Sequence, residues 1–484
     1  MNYGNSDNLS KKRIAILGGG IAGLSAALYL SRKNYEVHIF EQKDRIGGLV
    51  GGKIINNNIY EYGPHFFHTN NPEIFREIRA IVGEDLIDFK RTILVKFMDQ
   101  YFIYPLSILE VLRKLPRKVL FPALFHLLIS NLKRIIIRKK PLNSEELLRN
   151  YYGEILYNLF FKSYIKSVWG IGPEKFSTEF AEQRITSATV AAVLNKIKSS
   201  IRLKFFKKNK STKNFIENLD GNLYTTKKGY IGIVEKILKV IIDNGVTIHL
   251  GSKVIGLKII GNSVREILIK SNNNYLANNQ NELTVFENFD GYINTLPINE
   301  LILMINSSVP EDVINSAKFL KFRALVFVGV LVNKPKVLPV SFMYFRQHSF
   351  NRVYDSSYFG HDTITPDTTI LVAEISCDIS DKWWNDAEYC KEMVIKDLIK
   401  ENFINEKDIL EVNVYKYKWG YPIYNIGYEK NLENILKYID NLKNIETAGR
   451  QGLFQYINSH IAIQMGIEAA EKLIKNFLYI KHME

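Results

Sequence analysis

Short apolar runs and glycine or polar breaks alternate near the start of the chain in an order that predicts a strand, a helix and a second strand. Arg13–Leu17 has the length of a buried parallel strand, and a glycine cluster follows it. Leu24–Arg32 has the pattern of a helix, and Glu36–Phe40 predicts a second strand that ends at the carboxylate of Glu41. This arrangement is typical of a nucleotide-binding β-α-β unit.

Helical and strand-like patterns then follow each other in separate blocks. Charged and apolar positions recur at intervals of three and four through much of residues 107–165, which predicts helices. Residues 247–269 and 290–295 are strand-like, and Ala324–Val332 is rich in β-branched residues, as expected of an interior strand of a second sheet. The run Ile461–Phe477 predicts an amphipathic C-terminal helix.

This order predicts an α/β fold. A Rossmann-like dinucleotide-binding domain is interleaved with a helical lid and with a substrate domain built on a mixed or antiparallel β-sheet. The dinucleotide-binding domain takes residues 1–90, 223–300 and 441–484. The mainly helical substrate and lid domain takes 91–222, and the β-sheet substrate domain takes 301–440.

Three glycines after the first strand fit a dinucleotide fingerprint. Gly18 permits a tight turn, Gly20 lets the backbone approach a pyrophosphate, and Gly23 permits close packing of helix and strand. Glu41, 18 residues after Gly23, is placed to accept hydrogen bonds from a ribose. A glycine-rich turn without a ligand is the alternative, but the two strands, the helix and the acid all favour a bound dinucleotide.

A second glycine pair after Glu41 favours FAD over NAD. The step Arg45-Ile46-Gly47-Gly48 follows the ribose-binding acid, and its glycines leave room for the ribityl and pyrophosphate part of a longer cofactor. Gly449 and the helix that begins near Ile461 would supply a second helix N-terminus for the same cofactor.

Composition excludes several classes of protein. The 484 residues are 46% apolar and 24% charged, which excludes a fibre or a disordered tail. Two cysteines, Cys377 and Cys390, exclude a disulfide framework and a cysteine metal site. His65 and His68 have no third ligand spaced nearby, so no metal is expected. The absence of a secretory pattern, together with few cysteines, predicts a cytoplasmic location.

The net charge of +14 is concentrated in two segments without acids. Residues 111–140 hold nine Lys or Arg, and residues 196–213 hold eight. Two local patches are not the broad basic face of a nucleic-acid binder, so no nucleic-acid partner is expected. The first patch is either a solvated helix or a helix in weak peripheral contact with a membrane surface. Its apolar stretch Val119–Ile129 has only eleven residues, too few to cross a bilayer. The second patch is either a solvated loop or a funnel for substrate phosphates.

Four motifs together resemble the UDP-galactopyranose mutases. Tyr62–Thr69 reads Tyr-Gly-Pro-His-Phe-Phe-His-Thr, and Leu156–Gly170 is similar to the substrate-binding helix of that family. Gln183-Arg184-Ile185 follows at almost the family's spacing, and Gly449–Tyr456 is similar to its C-terminal flavin and diphosphate motif. The resemblance extends from residue 14 to about residue 475.

The resemblance implies an isomerase that uses reduced FAD to interconvert the pyranose and furanose forms of a nucleotide-diphosphate sugar, by attack of the flavin N5 on the anomeric carbon. It also implies a role in polysaccharide biosynthesis and a homodimer or monomer. The catalytic residues that it implies are Arg184 and Arg450 on the diphosphate and His68 and His65 beside the flavin. The substrate-binding residues that it implies are Phe160, Tyr164, Trp169, Tyr421, Tyr456 and Asn458. The residues expected to contact FAD are Gly18, Gly20, Gly23, Glu41, Arg45, Gly47, Gly48, Leu49, Pro64, Val254, Gly449 and Ile461.

Each of these residues also has a purely structural alternative. The arginines would then form ion pairs, the aromatic residues would pack in the core, and the histidines would make structural hydrogen bonds. Phe160 and Tyr164 would share one face of a continuous helix, whereas Trp169 joins them only if the helix ends first. The chain also departs from the family, with Asn458 at an aspartate position and Ile165 at a threonine position. The sequence therefore does not determine which sugar and which nucleotide form the substrate.

A second resemblance leads to an alternative function. Tyr104–Ser107, Ser177–Ile185 and Tyr421–Tyr428 are similar to segments of amine-oxidase and protoporphyrinogen-oxidase-like flavoproteins, which share the fold. An FAD-dependent oxidoreductase is the alternative enzyme. A non-enzymatic binding protein is the third class of function.

Overall fold

A computed structural model describes residues 11–89, 92–97, 99–104, 110, 113–137, 139–184, 223–271, 282–306, 309–360, 363 and 365–481. The basic segment 196–213 lies outside this description. The helices are α1 (Ile21–Ser31), α2 (Pro72–Val82), α3 (Arg117–Ile137), α4 (Ser144–Tyr157), α5 (Ser163–Trp169), α6 (Thr178–Arg184), α7 (Tyr230–Asp243), α8 (Ile298–Leu303), α9 (Glu311–Phe319), α10 (Lys382–Asn385), α11 (Ala387–Lys400), α12 (Tyr428–Asp440), α13 (Gly449–Gly452) and α14 (Ser459–Lys481).

The strands fall into five sheets within the described residues. Their bounds are β1 (Arg13–Leu17), β2 (Glu36–Phe40), β3 (Gly52–Ile55), β4 (Asn58–Glu61), β5 (Ile87–Phe89), β6 (Ile93–Phe97), β7 (Gln100–Ile103), β8 (Leu223–Thr225), β9 (Thr247–His249), β10 (Ser252–Ile260), β11 (Ser263–Ser271), β12 (Glu282–Glu287), β13 (Gly291–Asn294), β14 (Phe322–Val332), β15 (Phe342–Tyr344), β16 (Arg352–Asp355), β17 (Thr369–Cys377), β18 (Ile409–Pro422) and β19 (Ile445–Thr447).

The first large sheet is parallel, in the order β19-β13-β1-β2-β9, and its strands come from distant parts of the chain. Helices α1, α7 and α14 cover it, and their apolar residues share one core with β1 and β2. Gly23 lets α1 lie against β1, since a Cβ there would be 2.2 Å from the Gly18 carbonyl oxygen. Gly466 lets α14 lie against α1, where a Cβ would be 2.2 Å from the Ala22 carbonyl oxygen. The two glycines therefore allow α1 to pack closely on β1 and α14 to pack closely on α1.

The second large sheet has the order β18-β14-β17-β16-β15-β6-β7. Strands β15 and β6 run parallel, and the other neighbouring pairs are antiparallel, so the sheet is mixed. Its central strands β14 and β17 are buried along almost their whole length, as their apolar, β-branched sequences predict. A parallel FAD-type sheet and a mixed second sheet confirm the predicted fold class.

Helices α3 to α6 lie between β7 and β8 in the sequence. Helix α3 has 21 residues and contains Pro122, so it is nearly twice as long as the apolar stretch Val119–Ile129. By length and composition it could cross a membrane, contrary to the expectation from that stretch. A turn of π-helix at Asn158–Lys162 separates α4 from α5.

Candidate active site

One open cleft runs from the carboxyl ends of β1 and β2 to the second sheet. It encloses about 1490 Å³, its open mouth included. At one end lie Gly18, Gly20 and Glu41; at the other lie residues of the loop after β4 and of strands β14, β15, β16 and β18. The carboxyl edge of a parallel sheet is where dinucleotides bind in folds of this kind.

Glycines form the wall of the first end. Gly18 has φ +104°, and a Cβ there would be 2.5 Å from the Thr295 hydroxyl oxygen. Gly48 has φ +57°, and its Cβ would be 2.9 Å from the Gly20 Cα. Any side chain at these positions would fill or distort the channel. Gly47, Gly48, Leu49 and Gly449 line the same wall, so the two predicted glycine motifs meet in space.

Two helices direct their N-termini into the cleft. Gly20 is the N-cap of α1 and has no side-chain cap, and Ile21 and Ala22 of the first turn line the cleft. Ser459, His460 and Ala462 of the first turn of α14 line it as well. First-turn N–H groups lack partners within the helix, and the helix dipole favours an anion there. This donor set fits the phosphates of FAD.

Glu41 lines the cleft at the carboxyl end of β2. It is 7% exposed, and its carboxylate accepts hydrogen bonds from the Gly19 and Lys43 backbone N–H groups at 2.8 and 2.9 Å. Burial raises the pKa of Glu41. Lys43 donates to the Tyr62 hydroxyl at 3.0 Å, and burial lowers the pKa of Lys43 to about 8. The backbone bonds hold the carboxylate of Glu41 in a fixed orientation beside the cleft.

The histidines of the Gly-Pro-His-Phe-Phe-His motif line the far end with Pro64. Burial, with the charges of Arg352 and Arg450, lowers the pKa of His65 to about 3. The ring of His68 stands edge-on to that of His460, with centroids 5.6 Å apart. His65 is therefore a neutral imidazole at physiological pH, and its Nδ1 is buried without a hydrogen-bond partner.

Arg450 projects into the cleft from α13, the short helix after β19. Its Nε donates to the Ile457 carbonyl at 3.1 Å, and its guanidinium lies 4.5 Å from the centre of the Tyr456 ring. The carbonyl and the ring fix the plane of the guanidinium. Tyr456 and Asn458 lie beside it in the lining.

Sequence reasoning missed a second guanidinium in the cleft, that of Arg352 on β16. Its side chain is 18% exposed and pairs with Glu374 of β17, whose side chain is 5% exposed. Although burial disfavours the charged form, the Glu374 carboxylate raises the pKa of Arg352. Tyr421 donates its hydroxyl to the same carboxylate at 2.6 Å. The signal in the sequence was Glu374, the single charged residue of the mostly apolar strand β17.

Three aromatic residues expected in the pocket do not line it. Phe160 belongs to the π-helical turn and Tyr164 to α5, and neither side chain lines the cleft. Phe160 packs on Phe97 in a small separate cluster, with centroids 4.7 Å apart. Tyr164 stands edge-on to Tyr344, a lining residue. Trp169 ends α5 and is buried behind the cleft wall, against Tyr421 and Tyr456.

Arg45, Val254 and Ile461 also lie outside the cleft lining. Arg45 faces a second cavity behind the Gly47 turn, where its Nη1 is buried without a partner. Val254 is a core residue of β10, and Ile461 packs between α14 and the parallel sheet. Arg184 is the last residue of α6, and its side chain lies outside the described residues.

Comparisons with known proteins agree with this geometry. The family model for flavin containing amine oxidoreductase matches residues 21–360, well over half of the chain. The chain is 27% identical over 170 residues to the probable UDP-galactopyranose mutase of Klebsiella pneumoniae and 26% identical over 166 residues to the dTDP-fucopyranose mutase of Escherichia coli. Each match covers 34% of this chain and 43% of the relative, so the chain matches less than half the length of either.

Relatives of another activity are similar over shorter stretches. A 1-hydroxycarotenoid 3,4-desaturase from a Flavobacterium species is 36% identical over 78 residues, which are 16% of each protein.

Solved structures agree over almost the whole chain. The crystal structure of a reduced UDP-galactopyranose mutase superposes with a TM-score of 0.76 at 19% identity, covering 96% of this chain and 94% of the other. A putrescine oxidase bound to putrescine superposes with a TM-score of 0.60 at 14% identity, covering 96% and 99%. These structures confirm the fold, and the match to the flavin-containing family model confirms FAD as the cofactor. The chain therefore belongs to the flavin-containing amine oxidoreductase family, and its resemblance to the UDP-galactopyranose mutases within that family is confirmed.

Proposed function

We propose that this protein is a flavin-dependent mutase that interconverts the pyranose and furanose forms of a nucleotide-diphosphate sugar. The observation that carries the proposal is that two guanidinium groups, those of Arg352 and Arg450, face the same cleft as the FAD cradle. The positive charges of both arginines lower the pKa of His65. A Cβ on Gly63 would be 3.2 Å from the Arg352 Nη2 and 3.5 Å from both the Glu374 Oε2 and the His65 Cε1. Both guanidinium groups thus act at the His65 end of the cleft.

The two arginines suit a diphosphate. A planar guanidinium can bind two oxygens of one phosphate at once, both when the phosphate is an ester and when it leaves. Arg450 is oriented by a carbonyl and a ring, and Arg352 by Glu374. Such preorganised donors stabilise charge that develops on a leaving group, by about 3 kcal/mol for each donor. Tyr421 acts through Glu374, since its hydroxyl is bonded to that carboxylate.

Reduced FAD supplies a nucleophilic nitrogen, which this chemistry requires at the anomeric carbon. The neutral His65 does not add a positive charge next to the two arginines, and its Nδ1 can hydrogen-bond a ligand. His68, packed against His460, helps to close this end of the cleft. The chain's own contribution is to hold the diphosphate, to orient the sugar and to keep water away.

The identity of the sugar depends on the residues beside Arg450. Asn458 lines the cleft where the UDP-galactopyranose mutases carry an aspartate, so one charge is missing from this wall. We therefore propose the class of nucleotide-diphosphate sugars without choosing one member. Polysaccharide biosynthesis and a cytoplasmic location stay predictions.

An FAD-dependent oxidoreductase is the second candidate, because the family contains amine oxidases and the chain has carotenoid desaturase relatives. A tunnel for a polyprenoid would be lined by apolar side chains, whereas Arg352, Arg450, His65 and Asn458 occupy this end of the cleft. The charged lining favours the mutase.

The test is to purify the FAD-loaded protein, reduce it with dithionite and incubate it with UDP-, dTDP-, GDP- and CDP-sugars, following furanose formation by NMR. The oxidised protein and the Arg450→Ala variant serve as controls, and both should be inactive. Oxygen consumption with an amine or a polyprenoid, together with no sugar product from any nucleotide sugar, would instead favour the oxidoreductase.

A further inference from the structure

Helix α3, whose Leu120 packs against the small cluster of Phe97 and Phe102, presents an unusual outer surface. Its apolar side chains on that surface are between 51% and 76% exposed: Phe121, Phe125, Leu128, Leu132, Ile135 and Ile136. At about 100° per residue these positions fall within a sector roughly 100° wide. The stripe spans about 22 Å along the helix axis. A contiguous apolar stripe of this size on a protein surface indicates a binding face.

The opposite face of α3 is fixed to the protein. Asn131 is buried and donates from Nδ2 to the carbonyls of Leu127 at 2.9 Å and Tyr151 at 3.4 Å. Gly153 of α4 brings the two helices together, because a Cβ there would be 2.7 Å from the His126 carbonyl carbon. The stripe therefore points outward at a set angle, and within the described residues its six side chains stay exposed.

Basic side chains border the stripe at both ends. Arg117 and Lys118 lie at the first turn, Lys133 lies on the flank, and Lys139 and Lys140 follow the last turn, all of them exposed. Residues 111–140 contain no acid. An apolar helical stripe with a basic border matches the interface of an anionic bilayer, where lipid tails accept the apolar groups and phosphates face the cations.

We propose that α3 docks flat on an anionic lipid membrane, with the stripe inserted among the acyl chains and the basic residues on the lipid phosphates. This proposal stands independently of the function proposed for the cleft.

Two alternative arrangements fit the structure less well. A spanning helix would carry its partner α4 into the hydrocarbon, with the Arg149 ion pairs to Glu145 and Glu154. A dimer through the stripe would bring the basic border of one copy against the same border of the other, since a two-fold interface pairs like surfaces. Lipid phosphates neutralise that border instead.

The test is sedimentation of the FAD-loaded protein with vesicles of phosphatidylcholine alone or mixed with phosphatidylglycerol. We expect binding to the anionic vesicles, weakened by salt, and a loss of about tenfold or more in Phe125→Asp/Leu132→Asp. A matched control is Leu283→Asp/Val285→Asp on β12, which also places two charges on exposed apolar positions and should bind like the parent. FAD content measures folding in all variants.

A second measurement reports on the inserted face directly. Both native cysteines are buried, so an introduced cysteine can be labelled alone with an environment-sensitive fluorophore. A label at Phe125→Cys should shift to the blue with anionic vesicles, whereas a label at Ile242→Cys, an exposed position on α7, should not.

Three results would overturn the proposal. The first is equal vesicle binding by the parent and the Phe125→Asp/Leu132→Asp variant, or no binding by either. The second is self-association that this variant abolishes in the absence of lipid, which would make the stripe a dimer interface. The third is that alkaline carbonate fails to release the bound protein from the vesicles, which would indicate a spanning helix.

Discussion

Gly48 lies so close to Gly20 that a Cβ on Gly48 would stand 2.9 Å from the Gly20 Cα. The contact joins the two glycine motifs, which are separated in sequence by helix α1 and strand β2. Since both glycines line the cleft, this contact sets the width of the channel for the phosphates of FAD.

The first prediction concerns this contact. Gly48→Ala should release FAD, because the added methyl group must displace the backbone at Gly20. Gly261→Ala is the matched control: Gly261 has φ +60°, close to the +57° of Gly48, but open space where its Cβ would lie. The control should lose about 1 kcal/mol of stability from backbone strain and keep its flavin. The ratio of flavin absorbance to protein concentration measures flavin retention in both variants. Equal retention by Gly48→Ala and Gly261→Ala would contradict the role of the contact.

The second prediction concerns the arginine that sequence reasoning missed. Arg352→Gln should lower kcat/KM for the nucleotide sugar by about 100-fold, since one oriented charged donor is lost. FAD should stay bound. Arg346→Gln is the control, because Arg346 bonds the Leu159 carbonyl and the Ser163 hydroxyl and does not line the cleft. Unchanged turnover of Arg352→Gln would exclude a diphosphate role.

A third prediction separates cofactor binding from chemistry. Glu41→Ala removes the carboxylate that the Gly19 and Lys43 N–H groups hold beside the cleft. The variant should bind FAD about tenfold or more weakly, as expected for the loss of charged hydrogen bonds. With saturating FAD its kcat should approach that of the parent. A variant with normal flavin affinity would argue against a ribose contact.

The fourth prediction is a pH dependence of stability. The Glu401 carboxylate, 3% exposed, accepts hydrogen bonds from Lys96, Tyr101 and His348. Burial alone would raise the pKa of Glu401, but these hydrogen bonds outweigh it and lower the pKa.

Because the folded pKa lies below the unfolded value of about 4.3, the stabilisation is full above that pH and is lost as the pH falls through the folded value. Glu401→Gln should therefore reduce the free energy of unfolding by about 2–3 kcal/mol at pH 7 and show a shallower loss in acid. Urea unfolding at neutral and acid pH measures the loss of stability at pH 7 and the pH dependence in acid. Parallel acid limbs in the parent and the variant would contradict the assignment.

The fifth prediction follows from the position of Phe160 outside the cleft lining. Phe160→Leu should leave KM for the nucleotide sugar unchanged, because Phe160 packs on Phe97 outside the cleft. Tyr456→Leu should raise KM several-fold, since it removes the ring against which the Arg450 guanidinium rests. Steady-state kinetics on the two variants distinguish an aromatic residue of the core from one of the site.

Several features of the site could be predicted from the sequence because they are local. The glycines at 18, 20 and 23 and the acid at 41 belong to one β-α-β unit, whose geometry is nearly the same wherever it occurs. The Gly-Pro-His-Phe-Phe-His motif and the Gly449-Arg450 step are contiguous, so their side chains stay together however the rest folds. These segments identified the cofactor and the family before any coordinates were known.

Other features were decided only by the tertiary structure. The spacing suggested that Phe160 and Tyr164 both line the substrate pocket, but they pack on Phe97 and Tyr344 of the neighbouring strands β6 and β15. Arg352 and Glu374 come together because β16 and β17 pair in a register that sequence spacing does not encode. Likewise, the sequence of 111–140 did not distinguish a solvated helix from a membrane-contacting one. The packing of α3 against α4 decided which apolar side chains of α3 stay exposed. Local sequence determines the glycine-rich wall of the cleft. Contacts between distant strands and helices determine which charges and which apolar surfaces face a ligand.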